Sequence, residues 1–236
     1  MPTALVKAEL IRIFKKWGKP KAIRVDNGEP FGSSEPSTTT PLALWLIGYG
    51  IHVIWNKPAC PQQNGKVERA QSTSRRWSEI MKCADFDTAQ KQLNEAARLH
   101  RDCFQVSRLK NQTRKQAFEG LYTPIRTWDD ETFEPMKVYQ FLKNKKYIRK
   151  VSSNGQITHF SHKPTIGDAY KGQYVSLKLD ITVQENDQIH LSWIVSDANE
   201  KKIRHVSAHY LNKQNLLNLS MMSKNLSTNL LDAFAT

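Results

Sequence analysis

At 236 residues, with 35 Lys and Arg against 22 Asp and Glu, the chain is a basic protein (net charge +13) long enough for one large or two small domains. A hydrophobic fraction of 39% is enough for at least one packed core and excludes a wholly disordered chain. No apolar run approaches the length of a membrane span, and the start, Met-Pro-Thr-Ala-Leu-Val-Lys-Ala-Glu-Leu, lacks a signal-peptide pattern, so membrane insertion and secretion are not expected. Cys60, Cys83 and Cys103 have no metal-ligand spacing and cannot all pair, which suits reduced thiols in a cytosolic protein. The positive charge is divided: residues 62–115 and residues 135–212 each carry 12 basic and 6 acidic side chains, a net +6 apiece. Two basic segments suit a long polyanion, of which nucleic acid is the commonest; a merely soluble basic protein is the alternative.

In chain order, Leu5, Leu10, Ile11 and Phe14 recur at helical spacing over residues 3–17, and Gly18-Lys19-Pro20 ends that helix. Lys21 to Val25 reads as a short strand that runs into Asp26-Asn27-Gly28. Ligands of α/β sheets gather beyond the carboxyl ends of strands, so Asp26 stands where chemistry is expected; read alone, Asp-Asn-Gly is equally a tight turn. Residues 31–40 form a Gly/Ser/Pro loop, Pro41 to Tyr49 a buried helix carrying Leu42, Trp45 and Leu46, and Ile51 to Trp55 a strand.

Residues 60–79 follow as a proline-ended loop, a Gln-Asn-Gly helix start and a helix that carries Glu68 on its first turns, then Arg69, Arg75 and Arg76. A carboxylate beside several cations suits a site for metal ions and phosphates; the alternative is a solvated amphipathic helix. Residues 86–122 are expected to be helical, with Phe86, Leu93, Ala97 and Leu99 in register, and residues 124–135 to be a linker. From Tyr139 the period becomes strand-like. Residues 147–151 and 156–160 read as a hairpin around Asn154-Gly155, with further strands at 174–183, 188–195 and 202–210. In the tail, 213–236, Leu216, Leu219, Met222, Leu226 and Leu230 could line a docking helix, or the terminus stays disordered.

Val25-Asp26-Asn27-Gly28, Tyr49-Gly50-Ile51 and Pro61-Gln62-Gln63-Asn64-Gly65-Lys66-Val67-Glu68-Arg69, in that order, resemble the catalytic core of the retroviral integrase superfamily, nearest to bacterial insertion-sequence transposases. The resemblance covers residues 1–90 and implies a ribonuclease-H-like α/β fold, here partial because the first strands are missing. It also implies a helical connector (91–134) and, over 135–212, a small all-β barrel of the SH3-like kind that binds DNA.

The family holds two divalent ions, Mg²⁺ or Mn²⁺, with two Asp and one Glu. Asp26 matches the second Asp and Glu68 the Glu, 42 positions apart, so both are implied as catalytic, metal-binding residues. Two such ions activate the attacking hydroxyl and stabilise the leaving oxygen of a phosphodiester transesterification. The family's first Asp has no counterpart: 25 residues precede Asp26, and their one acidic residue is Glu9, in the predicted helix. Leu93-Asn94 and Leu99-His100-Arg101 match only loosely the Tyr-Asn and Arg-Pro-His patterns of the family.

The implied function is DNA integration or transposition by a truncated, catalytically impaired copy, with metal binding impaired by the missing Asp; the alternative is a non-catalytic nucleic-acid-binding remnant or regulator. Transposon ends and target DNA would be the partners, together with a second copy or a separate chain that supplies the missing strands. The location would be the bacterial cytoplasm, at the nucleoid. Candidate DNA contacts are Asn64, Lys66, Arg69, Arg75 and Arg76 around Glu68, and Lys145, Lys146, Arg149 and Lys150 on the first barrel strand, where cations position a phosphate backbone without reading sequence.

Overall fold

The computed structural model describes residues 2–32, 38–57, 60–183 and 188–221. In chain order these hold α1 (Thr3–Trp17), β1 (Ala22–Val25), α2 (Pro41–Gly48), β2 (His52–Trp55), α3 (Gly65–Ser78), α4 (Phe86–Arg98), β3 (Gln105–Val106), β4 (Gln112–Thr113) and α5 (Arg114–Ala117). There follow α6 (Pro135–Lys143), β5 (Tyr147–Lys150), β6 (Tyr174–Val183), β7 (Ile189–Ser196), β8 (Lys202–Ser207) and α7 (Lys213–Leu217). The class is mixed α/β, with three small sheets: β1-β2, β3-β4 and the antiparallel β5-β6-β7-β8. No helix among the described residues is long and apolar enough to cross a membrane.

Two compact units divide the described residues, one within Met1–Ala8, Lys21–Ile54 and Asp129–Thr236, the other within Glu9–Pro20 and Trp55–Trp128. In the first, α2 is apolar on every side and accordingly buried on every side: Leu42, Leu44, Trp45 and Leu46 have no exposed surface. Its start is fixed by Pro41, preset for the first helical turn, and by the Thr40 hydroxyl, which accepts the Ala43 N–H at 3.3 Å. At its end Gly48 meets the Phe133 ring so closely that an added Cβ would lie 2.1 Å from it, and the Glu134 N–H donates to the Gly48 carbonyl at 3.0 Å. This contact brings in α6, which buries Val138, Tyr139 and Leu142; the Tyr139 hydroxyl donates to the Leu211 carbonyl at 2.9 Å.

The four-stranded sheet alternates as its sequence does. Val175, Leu177 and Leu179 of β6 turn inward with Leu191, Trp193 and Val195 of β7, in the register Leu177↔Val195, Leu179↔Trp193. Lys150, Tyr174 and Lys178 lie on the exposed face. Among the described residues the sheet is open, with β5 and β8 at its edges, rather than a closed barrel.

Several expectations need correction. Residues 139–143 continue α6 instead of opening a strand region, because Pro135 starts a helix whose apolar residues fall on one face. The turn at Asn154-Gly155 exists, with Gly155 at φ +69° and its N–H on the Ser152 carbonyl, but β5 does not pair with residues 156–160. It pairs antiparallel with β6 (Tyr147↔Leu177), and residues 156–165 make only isolated bridges. On α1 the buried residues are Val6 and Phe14, while Leu5 is half exposed. On α4, Phe86 is 80% exposed and Ala96 alone is buried. Beyond α4, residues 99–122 are helical only in short pieces, a π-turn at Leu99–Cys103, α5 and two 3₁₀ turns, broken by the two-residue strands β3 and β4. In the tail, α7 is five residues long and buries Leu216; Met222, Leu226 and Leu230 lie outside the described residues, as do 33–37 of the predicted loop.

Candidate nucleic-acid interface

Asp26 follows the last residue of β1, as its strand reading requires, and is exposed. One carboxylate oxygen accepts the Gly28 N–H at 3.1 Å, which is the turn-forming role these residues also suit. Asp26 belongs to the first unit and Glu68 to the second.

The helix start around Asn64 is held from upstream. A 3₁₀ turn, Pro61–Asn64, leads into α3. The Asn64 side chain does not cap the helix; its Oδ1 accepts from Asn56 Nδ2 at 2.5 Å, while Gln63 Oε1 accepts the Lys57 N–H at 3.0 Å. Gln63 and Asn64 therefore fasten the start of α3 to Asn56 and Lys57. Gly65 has an ordinary helical φ of −56°, with nothing within 4 Å of where a Cβ would stand. The first turn of α3 is bare on that side.

On α3 itself only Ser78 is buried. Trp77 packs edge-on against His100 (ring centroids 5.2 Å apart) and Phe104 (5.2 Å), and Glu79 ends the helix in the left-handed region at φ 45°. Burial, followed by the nearby Arg114 charge, lowers the His100 pKa. The rest of the helix is a polar surface. Glu68, Ser72 and Arg75 share one face at four and seven residues' separation, and Arg69 and Arg76 repeat that spacing beside it.

The cations of this unit fall into two kinds. Arg98 forks onto Glu95 (2.8 and 2.6 Å) and Lys82 pairs with Glu79 (3.0 Å). Arg101 lies against the Trp17 and Tyr122 rings, 4.9 and 5.3 Å from centroids that are themselves 5.5 Å apart, and donates to Asp102 at 3.1 Å. Sequence reading missed this cluster, since its members are 84 and 21 positions from Arg101. Lys66, Arg69, Arg75 and Arg76, in contrast, are exposed and pair with no carboxylate among the described residues.

The four cations proposed on and before β5 have diverging roles. Lys146 pairs with Glu200 at 2.9 Å, and Lys145 lies over the Phe141 ring at 5.1 Å. Arg149 is on the inner side of its strand, opposite Val175, and is used internally: it donates to the Thr158 carbonyl (3.1 Å), the Thr38 hydroxyl (2.9 Å) and the Ile148 carbonyl (2.8 Å). Lys150 faces outward beside Tyr174, 6.0 Å from its ring centroid.

A divalent metal needs several converging oxygen ligands. Among the described residues no group of three or more His, Cys, Asp or Glu side chains is placed to hold one. No known protein-family model matches the chain.

Proposed function

We propose that this chain is a DNA-binding protein of the integrase–transposase kind, with a partial ribonuclease-H-like core, that holds duplex DNA through phosphates and does not by itself join DNA ends. The observation that carries this reading is the set Lys66, Arg69, Arg75 and Arg76: four exposed cations on α3 that no carboxylate of the described residues neutralises. Such cations release counterions when they meet a phosphate backbone. The same helix begins within the Pro-Gln-Gln-Asn-Gly-Lys-Val-Glu-Arg run, and its bare first turn leaves room for a backbone to approach. Lys145 and Lys150 supply further exposed charge on the other unit.

Binding of a duplex of arbitrary sequence, followed against salt, tests the reading. Each lost phosphate contact lowers the log–log salt slope by about 0.9, so Arg75→Ala/Arg76→Ala is expected to reduce it by about 2 and to weaken binding equally for unrelated sequences. Binding that is absent, or insensitive to salt, overturns the proposal. Incubation with Mg²⁺ or Mn²⁺ and donor ends is expected to give no strand transfer; transfer that disappears in Glu68→Gln would instead assign a working transposase.

A further inference from the structure

A cavity of about 340 Å³ opens beside β7 and β8, apart from every residue used in the DNA reading. Its floor is buried: Leu177, Trp193 and Tyr210 are 0%, 1% and 5% exposed, and His159 is 2% exposed. Lys163, Ser207 and His209 form an exposed polar rim, and His162, half-buried, stacks on Tyr210 with ring centroids 3.9 Å apart and planes 12° from parallel. Half of the ten lining residues carry an aromatic or imidazole ring, and none is a carboxylate. Such walls suit a flat ring that can stack on them.

His159 makes the site more than a crevice. Its ring is enclosed by Trp193 (4.5 Å, edge-on), Phe160 (4.4 Å) and Tyr147 (4.8 Å), and neither ring nitrogen has a hydrogen-bond partner among the described residues. Burial, reinforced by the Arg149 and His162 charges, pushes its pKa down to about 3, so at neutral pH the ring offers one N–H donor and one bare acceptor. A buried polar ring without partners calls for an explanation, and a ligand that completes it is one. Neighbouring groups do not complete it: the Trp193 N–H already donates to the Tyr210 hydroxyl at 2.7 Å, and His162 Nε2 is bonded to the Met221 carbonyl at 3.1 Å. The His159 nitrogens have almost no exposed surface.

We propose that this cavity binds the heteroaromatic base of a nucleotide, stacked among the Trp193, Tyr210 and His162 rings and hydrogen-bonded to His159, with Lys163 at the rim taking the phosphate. A nucleobase presents donors and acceptors around a flat edge, which suits a neutral imidazole that offers one of each. The base could come from a free nucleotide or from an unpaired position in a DNA strand.

The test uses the full chain and the fluorescent base 2-aminopurine, as the free deoxynucleotide monophosphate, within a single strand and within a duplex. Quenching by the stacked rings is expected with the free nucleotide or the single strand. The free nucleotide alone identifies a nucleotide site; the single strand alone identifies an extruded base. His159→Phe keeps the ring volume and removes both unpartnered nitrogens, so it should weaken quenching at least tenfold while raising Tm by about 2–4 °C. A purely structural His159 would lose stability along with binding.

Lys163→Ala, at the exposed rim, should weaken the monophosphate and leave the nucleoside unchanged, which keeps the test intact if His159→Phe fails to fold. No quenching with either probe, or variants that both bind like the unaltered chain, overturns the proposal. Duplex binding that depends on Arg75 and Arg76 is read separately, so either proposal can fail while the other stands.

Discussion

His159 illustrates how one residue sets a pH response. Its pKa falls from 6.5 to about 3 on folding, because burial and the nearby Arg149 and His162 disfavour the imidazolium. The unfolded chain therefore binds the extra proton between those values. Stability is fully present above pH 6.5 and is lost as pH falls toward 3, by up to about 1.4 kcal/mol per pH unit. His100, also lowered by burial, acts in the same direction. Urea titrations at pH 7 and pH 4.5 should thus show a larger loss for the unaltered chain than for His159→Phe; equal losses would show that the ring is not held neutral. At Gly48 the constraint is space. A Cβ there would lie 2.1 Å from the Phe133 ring, so Gly48→Ala should cost about 1–3 kcal/mol through overpacking, measured as a fall in the denaturation midpoint.

Among the elements, α2 and α4 are opposites. α2 is wholly apolar and buried on every side, whereas on α4 Phe86 and Ala97 are exposed and Leu93 is half-buried. Leu44→Ala is expected to cost about 2–5 kcal/mol and Phe86→Ala less than about 0.5 kcal/mol, a contrast that chemical denaturation of the two variants would check. Continuous hydrophobicity in residues 41–49 identified α2 directly. Helical spacing in residues 86–99 identified α4 but not its exposure, because periodicity reports which residues share a face and not whether another element covers it. Arg149 shows the same limit on a strand. Its basic character suggested a phosphate contact, but the pleat turns it inward, where Thr38 and Thr158, 111 and 9 positions away, accept its hydrogen bonds.

For the whole molecule, the net charge of +13 was visible from composition, and it favours a polyanion whichever residues make contact. Which cations are available is a different question, answered by packing: Lys146, Arg98 and Arg101 are engaged with carboxylates, while the α3 cations are not. Because exposed charge also lies on the other unit, removal of Arg75 and Arg76 should leave residual salt-dependent binding rather than none.

By itself the sequence determined the local elements of residues 3–78, the strands β6, β7 and β8, the turn at Gly155, and the positions of Asp26 at a strand end and Glu68 on a helix. Each depends on short-range periodicity, capping or turn chemistry. Only the tertiary structure decided that β5 pairs with β6 across an excursion of two dozen residues, that Arg149 is internal, and that the His159 ring lies among the rings of Tyr147, Phe160 and Trp193 with no hydrogen-bond partner for its nitrogens among the described residues. Those outcomes depend on which distant surfaces meet, and strand pairing and burial between distant segments leave no period in the chain to be read.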